Sequence, residues 1–130
     1  MISLAIVGSR SFTNYALLAD RLDELRDEWR DQGVEVMRIV SGGAQGADKL
    51  AERYARDNDL PLVIKAPNWH PEGKFDRGAG KKRNTEIVAE ADRVVAFWDG
   101  SSPGTRDTIT KARKAGKWIK IINTNEKIKK

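Results

Sequence analysis

The feature that most restricts how this chain can fold is an alternation. Short continuous apolar runs are separated by stretches whose apolar residues recur every three or four positions. The runs are Leu4–Val7, Val36–Val40, Leu62–Ile64, Val94–Trp98 and Trp118–Ile122. Continuous runs this short fit strands covered on both faces, as in parallel sheets. Between them, Tyr15, Leu18, Leu22, Leu25 and Trp29 share one helix face, as do Ala47, Leu50, Ala51, Tyr54 and Ala55. Ile87, Val88 and Ala91 mark a third helix, and Ile109, Ala112 and Ala115 a fourth. Thr13 or Asn14 is placed to cap the first helix, while Gly33 and Gly116 can close the first and last. Residues 67–80, with two prolines and three glycines, read as irregular. The expected architecture is α/β: a Rossmann-like doubly wound sheet of about five parallel strands flanked by helices. One domain over residues 1–125 is expected, with a basic tail at 126–130.

Composition narrows the chemistry. With no Cys among 130 residues, a disulfide scaffold, a thiolate zinc site and a cysteine nucleophile are excluded. A single His excludes a multi-histidine metal centre and leaves only carboxylate-rich sites for hard cations. Apolar runs of four or five residues are too short to span a bilayer as a helix, so no membrane partner is expected. The first residues carry no basic signal-peptide start, and the expected location is cytoplasmic. The net charge of +5 is unevenly placed, with a balance of −3 over residues 1–60 and +8 over 61–130. Lys74, Arg77, Lys81, Lys82 and Arg83 concentrate it in a glycine-rich stretch, and Lys127, Lys129 and Lys130 in the tail. Such a loop suits a phosphate or a nucleic-acid backbone, although a charge run is also simply a solvated face.

In an open α/β sheet, ligands bind beyond the carboxyl ends of the strands, near the point where strand order reverses. Four segments are expected to gather there. Gly8, Ser9 and Arg10 follow the first strand and offer a tight turn, a hydroxyl and a bidentate cation. Ser41, Gly42, Gly43, Ala44, Gln45, Gly46, Ala47 and Asp48 follow the second and lead into a helix. With almost no bulky side chains, that turn is expected to leave main-chain N–H groups and a positive helix end facing an anion. It lacks the Lys-Ser/Thr of a Walker A loop and is not a strict GxGxxG; the bland alternative is close helix–sheet packing. Asp48 suits a helix cap, a loop amide or a ribose hydroxyl. Lys81, Lys82, Arg83 and Asn84 open the third helix, where cations oppose the macrodipole unless an anion is near. Asp99, Gly100, Ser102, Gly104 and Thr105 form a second potential cradle, followed by Asp107 in the helix's first turn. His70 reads as surface, Trp29 and Trp98 as core, and Trp69 as a residue able to stack on a base.

Taken together and in this order, IVGSRSF, VSGGAQGAD, RNTEIV, ADRVVAFWDG and SPGTRDTITKARKAGK resemble the YspA/cpYpsA-related branch of the SLOG superfamily. These are small Rossmann-like proteins related to DNA-processing protein A and to the cytokinin-activating phosphoribohydrolases. The resemblance spans about residues 4–122 and implies a nucleotide or nucleotide-derived ligand at the strand ends. By position it implies ligand contact for the first glycine turn and Arg10, and a phosphate and ribose pocket lined by Ser41, Gly42, Gly43, Gly46, Ala47 and Asp48. Arg83 matches an arginine of the phosphoribohydrolases, and Gly104-Thr105 the Gly-Thr of their PGGxGTxxE stretch. The chain departs from that stretch at Thr108, which stands where the catalytic Glu would be. A hydroxyl supplies no carboxylate for an oxocarbenium-like transition state. Asp107, one residue earlier, lies about 100° away around the helix.

The leading expectation is therefore binding of a nucleotide or nucleotide-derived ligand, for sensing, sequestering or processing. The alternatives are a nucleotide hydrolase cleaving an N-glycosidic or phosphate bond, and single-stranded nucleic-acid binding through the basic loop and Trp69. For a hydrolase the catalytic candidates are Asp99, Asp107 and Arg83. No cofactor is required by any motif, and magnesium on Asp48, Asp99 and Asp107 is the one metal the hydrolase alternative invites. Self-association of the apolar helix faces is compatible with the pattern.

Overall fold

The computed structural model describes residues 1–128; Lys129 and Lys130 of the basic tail lie outside the described residues. Five strands, β1 (Ile2–Gly8), β2 (Val36–Ser41), β3 (Leu62–Ile64), β4 (Arg93–Trp98) and β5 (Trp118–Asn123), form one parallel sheet. The order across the sheet is β3-β2-β1-β4-β5, so the direction of winding reverses between β1 and β4. Four helices connect them: α1 (Tyr15–Asp31), α2 (Ala47–Asp57), α3 (Ala79–Glu90) and α4 (Pro103–Lys114).

The two periodicities of the sequence explain the layers. Along β1, Leu4 and Ile6 pack under α1 and α2 with Leu18, Leu22, Trp29 and Tyr54. Ala5 and Val7 point the other way, into a core with Ile87 and Val88 of α3 and Ile109 and Ala112 of α4. Period-two alternation thus feeds two cores, and both faces of the central strands are covered.

Helix boundaries follow local chemistry. Asn14 rather than Thr13 caps α1, its Oδ1 accepting the Leu17 N–H at 3.0 Å. α3 begins at Ala79, so Gly80 is helical, while Ala91 is extended and lies past its end. The rest of the irregular segment holds a single 3₁₀ turn, Pro71–Gly73. The described part of the tail is tied down: Arg21, buried in α1, bonds Glu126 Oε1 at 3.2 Å and the Lys127 carbonyl at 2.9 Å, and Ile128 packs on the core.

Gly8 and Gly46 set how closely the turns meet. A Cβ on Gly8 would collide with the Phe97 carbonyl oxygen and lie 2.7 Å from the Ala47 Cβ. Gly46 sits at φ +76°, and a Cβ there would strike the Ser9 and Arg10 carbonyl oxygens. The start of α2 therefore rests directly on the turn after β1. Gly46→Ala is expected to lower stability by about 3 kcal/mol or more, since strain and a backbone collision add. Gly100→Ala, at φ +90° with nothing within 4 Å, pays only the conformational term of about 1–2 kcal/mol. Urea unfolding of both variants measures the difference.

Candidate functional site

Where the sheet order reverses, the loops after β1 and β4 separate and leave a cavity of about 500 Å³. All four glycine-containing or basic segments reach it. Gly8 and Arg10 come from the first turn, Asp48 from the second, Arg83 and Asn84 from α3, and Ser102, Gly104 and Thr105 from the start of α4. Val7, Ser11, Ala44, Ile87 and Pro103 complete the wall without having stood out in the sequence. Val7 and Ile87 look like plain core positions by pattern, and only the divergence of the loops exposes them to the cavity.

The turn after β2 leaves fewer main-chain donors open than its composition suggests. Three of its main-chain donors are already used inside the protein. The Gly43 N–H donates to Ser41 Oγ at 3.2 Å, the Ala44 N–H to Asp48 Oδ2 at 3.1 Å, and the Ala47 N–H to the Ser9 carbonyl at 3.2 Å. Those three are therefore not free for a ligand, and what the segment brings to the cavity wall is Ala44 and the acid Asp48. Ser41 is fully buried behind the loop, with Oγ 3.0 Å from Glu52 Oε2 and 3.2 Å from the Asp48 carbonyl. Gly42 stands between the two charged groups of the wall: a Cβ there would be 2.8 Å from Asp48 Oδ2 and 2.9 Å from Arg83 Nη1.

Those groups define the electrostatics. Asp48 is only 6% exposed, and burial pushes its carboxyl up to about 6 despite the Ala44 N–H and the charges of Arg83 and Arg10. Burial also draws the Arg83 guanidinium below its usual range; Asp48 opposes that and Arg10 adds to it. Arg83 reaches across from α3 to donate to the Gly42 carbonyl at 2.5 Å, and its Nε donates to Asn84 Oδ1 at 2.9 Å. Among the described residues Arg10 has no carboxylate partner. The cavity wall thus holds two cations against one acid that burial disfavours in its charged form. Lys82, also expected to seek an anion, is instead spent on Asp76 at 2.6 Å.

The start of α4 supplies what the second turn does not. Ser102 occupies the cap position but makes no side-chain cap bond. Its hydroxyl is 3.1 Å from Asp99 Oδ1 and from Ser9 Oγ, so the first-turn amides of Gly104 and Thr105 stay open beside the cavity. Asp99 is consumed by its own loop: Oδ1 accepts the Ser101 and Ser102 N–H groups, both at 2.9 Å, which hold its carboxyl down at about 2. Gly100, at φ +90°, lets that loop turn back. Burial raises the Asp107 carboxyl, but bonds from Lys111 at 2.8 Å and Asn84 at 3.0 Å outweigh it and leave it below the ordinary range. Thr108, 2% exposed, turns its hydroxyl back to the Gly104 carbonyl at 3.3 Å. Neither Asp99 nor Asp107 lines the cavity. Among the described residues no three His, Asp or Glu side chains converge on a metal position, so Asp48, Asp99 and Asp107 do not come together as one carboxylate cluster. Trp98 braces the same loop, its Nε1 donating to the Ser102 carbonyl at 3.0 Å.

A buried carboxyl with a raised pKa makes the folded state the stronger proton binder, so stability falls as pH rises from about 4 to about 6 and is level above. Asp48→Asn keeps an acceptor for the Ala44 N–H and removes the charge. The variant is expected to exceed the parent protein by about 2 kcal/mol at pH 7.5, with the gain vanishing below pH 4. Denaturant unfolding across this range measures it.

Comparison with known proteins agrees with this architecture. The chain is 37% identical over 135 residues to the Gene 61 protein of Mycobacterium phage D29, covering 98% of this chain and 99% of that protein. Its fold resembles DNA processing protein A from Streptococcus pneumoniae, with a TM-score of 0.71 at 18% identity over 92% of this chain and 49% of that one. It also resembles DNA processing protein A from Helicobacter pylori, studied for its single-stranded DNA binding mode, with a TM-score of 0.64 at 21% identity over 92% of this chain. The chain spans 64% of that protein and about half of the streptococcal one. The profile of the YspA, cpYpsA-related SLOG family matches residues 2–71, the segment that carries both the first and the second turn. The chain belongs to the YspA/cpYpsA-related SLOG family.

Proposed function

We propose that the protein binds a nucleotide or nucleotide-derived phosphorylated ligand in the cavity at the strand ends, and that binding rather than bond cleavage is its role. The observation that carries this reading is the pairing of an uncapped helix start with Arg10 and Arg83 around one cavity of about 500 Å³. Open amides and a helix dipole favour a phosphate, and two guanidinium groups hold it in a bidentate manner. Asp48, facing the same cavity as an acceptor, suits a ribose hydroxyl. Family membership and the likeness to the DNA-processing proteins support nucleotide or nucleic-acid binding in general. No helix among the described residues is long and apolar enough to cross a membrane, and a cytoplasmic sensor or carrier of such a ligand fits this chemistry. The hydrolytic reading is weakened by Thr108, which is turned into its own helix, and by Asp99 and Asp107, neither of which lines the cavity.

Calorimetric titration and thermal unfolding with nucleoside mono- and diphosphates test this. A ligand held at about 100 times its Kd stabilises the folded state by about 2.7 kcal/mol, which appears as a raised Tm. Arg10→Ala and Arg83→Ala are each expected to weaken binding by about 10-fold or more, the cost of a charge-assisted bond. Asp48→Asn is expected to narrow the preference for a ribonucleotide over its deoxy analogue. Failure of every nucleotide to raise Tm, or unchanged affinity in Arg83→Ala, overturns the assignment. Release of free base or ribose phosphate from a nucleoside monophosphate would favour the hydrolase instead.

A further inference from the structure

The cavity is not the only recess that Arg10 and Arg83 line. A second, of about 290 Å³, adjoins it and is lined also by Gly43, Gln45, Pro67 and Trp69. The two recesses share Arg10, Ala44 and Arg83. Arg10 and Arg83 therefore stand where the two recesses meet.

Trp69 is unusual for its type. It comes from the loop between β3 and α3, is 37% exposed, and lies parallel to Phe75 with ring centroids 6.2 Å apart. Phe75 is itself 62% exposed, and the edge of His70 leans on it at 5.6 Å. A Cβ on Gly80 would come within 3.3 Å of the Trp69 ring, so the indole lies against the first turn of α3. Large aromatic side chains held at a surface beside a cationic junction are the ordinary equipment for stacking a base.

We infer, resting on the reading of the inner cavity given above, that the ligand is a dinucleotide joined by a phosphate or diphosphate bridge. The bridge sits between Arg10 and Arg83, one nucleoside occupies the strand-end cavity, and the second nucleoside stacks its base on Trp69. Two recesses that meet at one pair of cations match a molecule with one anionic centre and two arms. A long single strand would need cations continuing along its path, whereas the neighbouring hollow adds to Arg83 only Lys82, which is paired with Asp76.

The test is calorimetric titration of the parent protein, Trp69→Ala and Trp69→Phe with AMP, diadenosine diphosphate, the linear phosphodiester ApA and a twelve-residue oligothymidylate. One of the two dinucleotides is expected to bind at least 10-fold more tightly than AMP, and which one does so distinguishes a diphosphate from a phosphodiester bridge. Trp69→Ala is expected to weaken that dinucleotide by about 5- to 100-fold, the range of base stacking on an aromatic side chain. It should leave AMP within about 2-fold, and Trp69→Phe should restore most of the loss. The inference is overturned if both dinucleotides bind no better than AMP, or if Trp69→Ala affects AMP and the dinucleotide equally. It is also overturned if only the oligothymidylate responds to Trp69, which would make this a nucleic-acid surface. AMP binding that persists while the dinucleotide advantage is absent defeats this inference alone; absence of binding by AMP and both dinucleotides defeats the cavity reading as well.

Discussion

Ser9 is where the structure is fastened. Its N–H donates to the Phe97 carbonyl at 2.9 Å, and its carbonyl accepts from Ala47 and Phe12, both at 3.2 Å. Its hydroxyl accepts the Asp99 N–H at 3.1 Å. One residue, 1% exposed, thus joins the turn after β1 to the end of β4, the start of α2 and the loop leading into α4. Buried main-chain groups must be paired, and here the pairing is made between segments that are distant in sequence. The cavity exists because these loops are held together at their roots while β1 and β4 send them in opposite directions.

On the reading proposed above, a phosphate would meet the start of α4 rather than the turn richest in glycine. The second turn spends three of its amides within the protein, one of them on the Ser9 carbonyl, and its small residues let α2 settle onto Gly8 and Ser9. What it offers the cavity is Asp48, an acid whose charge burial disfavours. A protein selected for stability alone has no use for an ionisable group in that position. An ionisable group buried beside Arg83 at a cavity wall is the kind of local cost that functional sites carry.

The fold was legible because each strand announces itself as a short apolar run and each helix as a periodic one. Even the three-residue β3 was marked, by Leu62, Val63 and Ile64 between loop residues. The edge of the sheet where ligand groups collect followed from topology. What composition does not encode is which donor meets which acceptor. The amide of Ala44 and the carboxylate of Asp48 are both plausible ligand contacts until folding brings them together. Asp99 is likewise a free acid on paper and a loop brace in three dimensions. Arg83 differed from Lys81 and Lys82 only in reach: Lys82 finds Asp76 nearby, while the longer, planar guanidinium crosses to Gly42. The start of α3 was blurred for a related reason, since glycine and lysine there gave no apolar period to follow.

The bracing of the loop before α4 has a kinetic meaning. Asp99, Ser102 and Trp98 hold that segment in place through bonds that involve no visitor. For the ligand proposed above, a site assembled in advance needs no rearrangement at each encounter, and little ordering entropy is lost on capture. Arrival is then governed by diffusion and by the local field, while differences in affinity among related ligands are expressed as differences in how long each one stays.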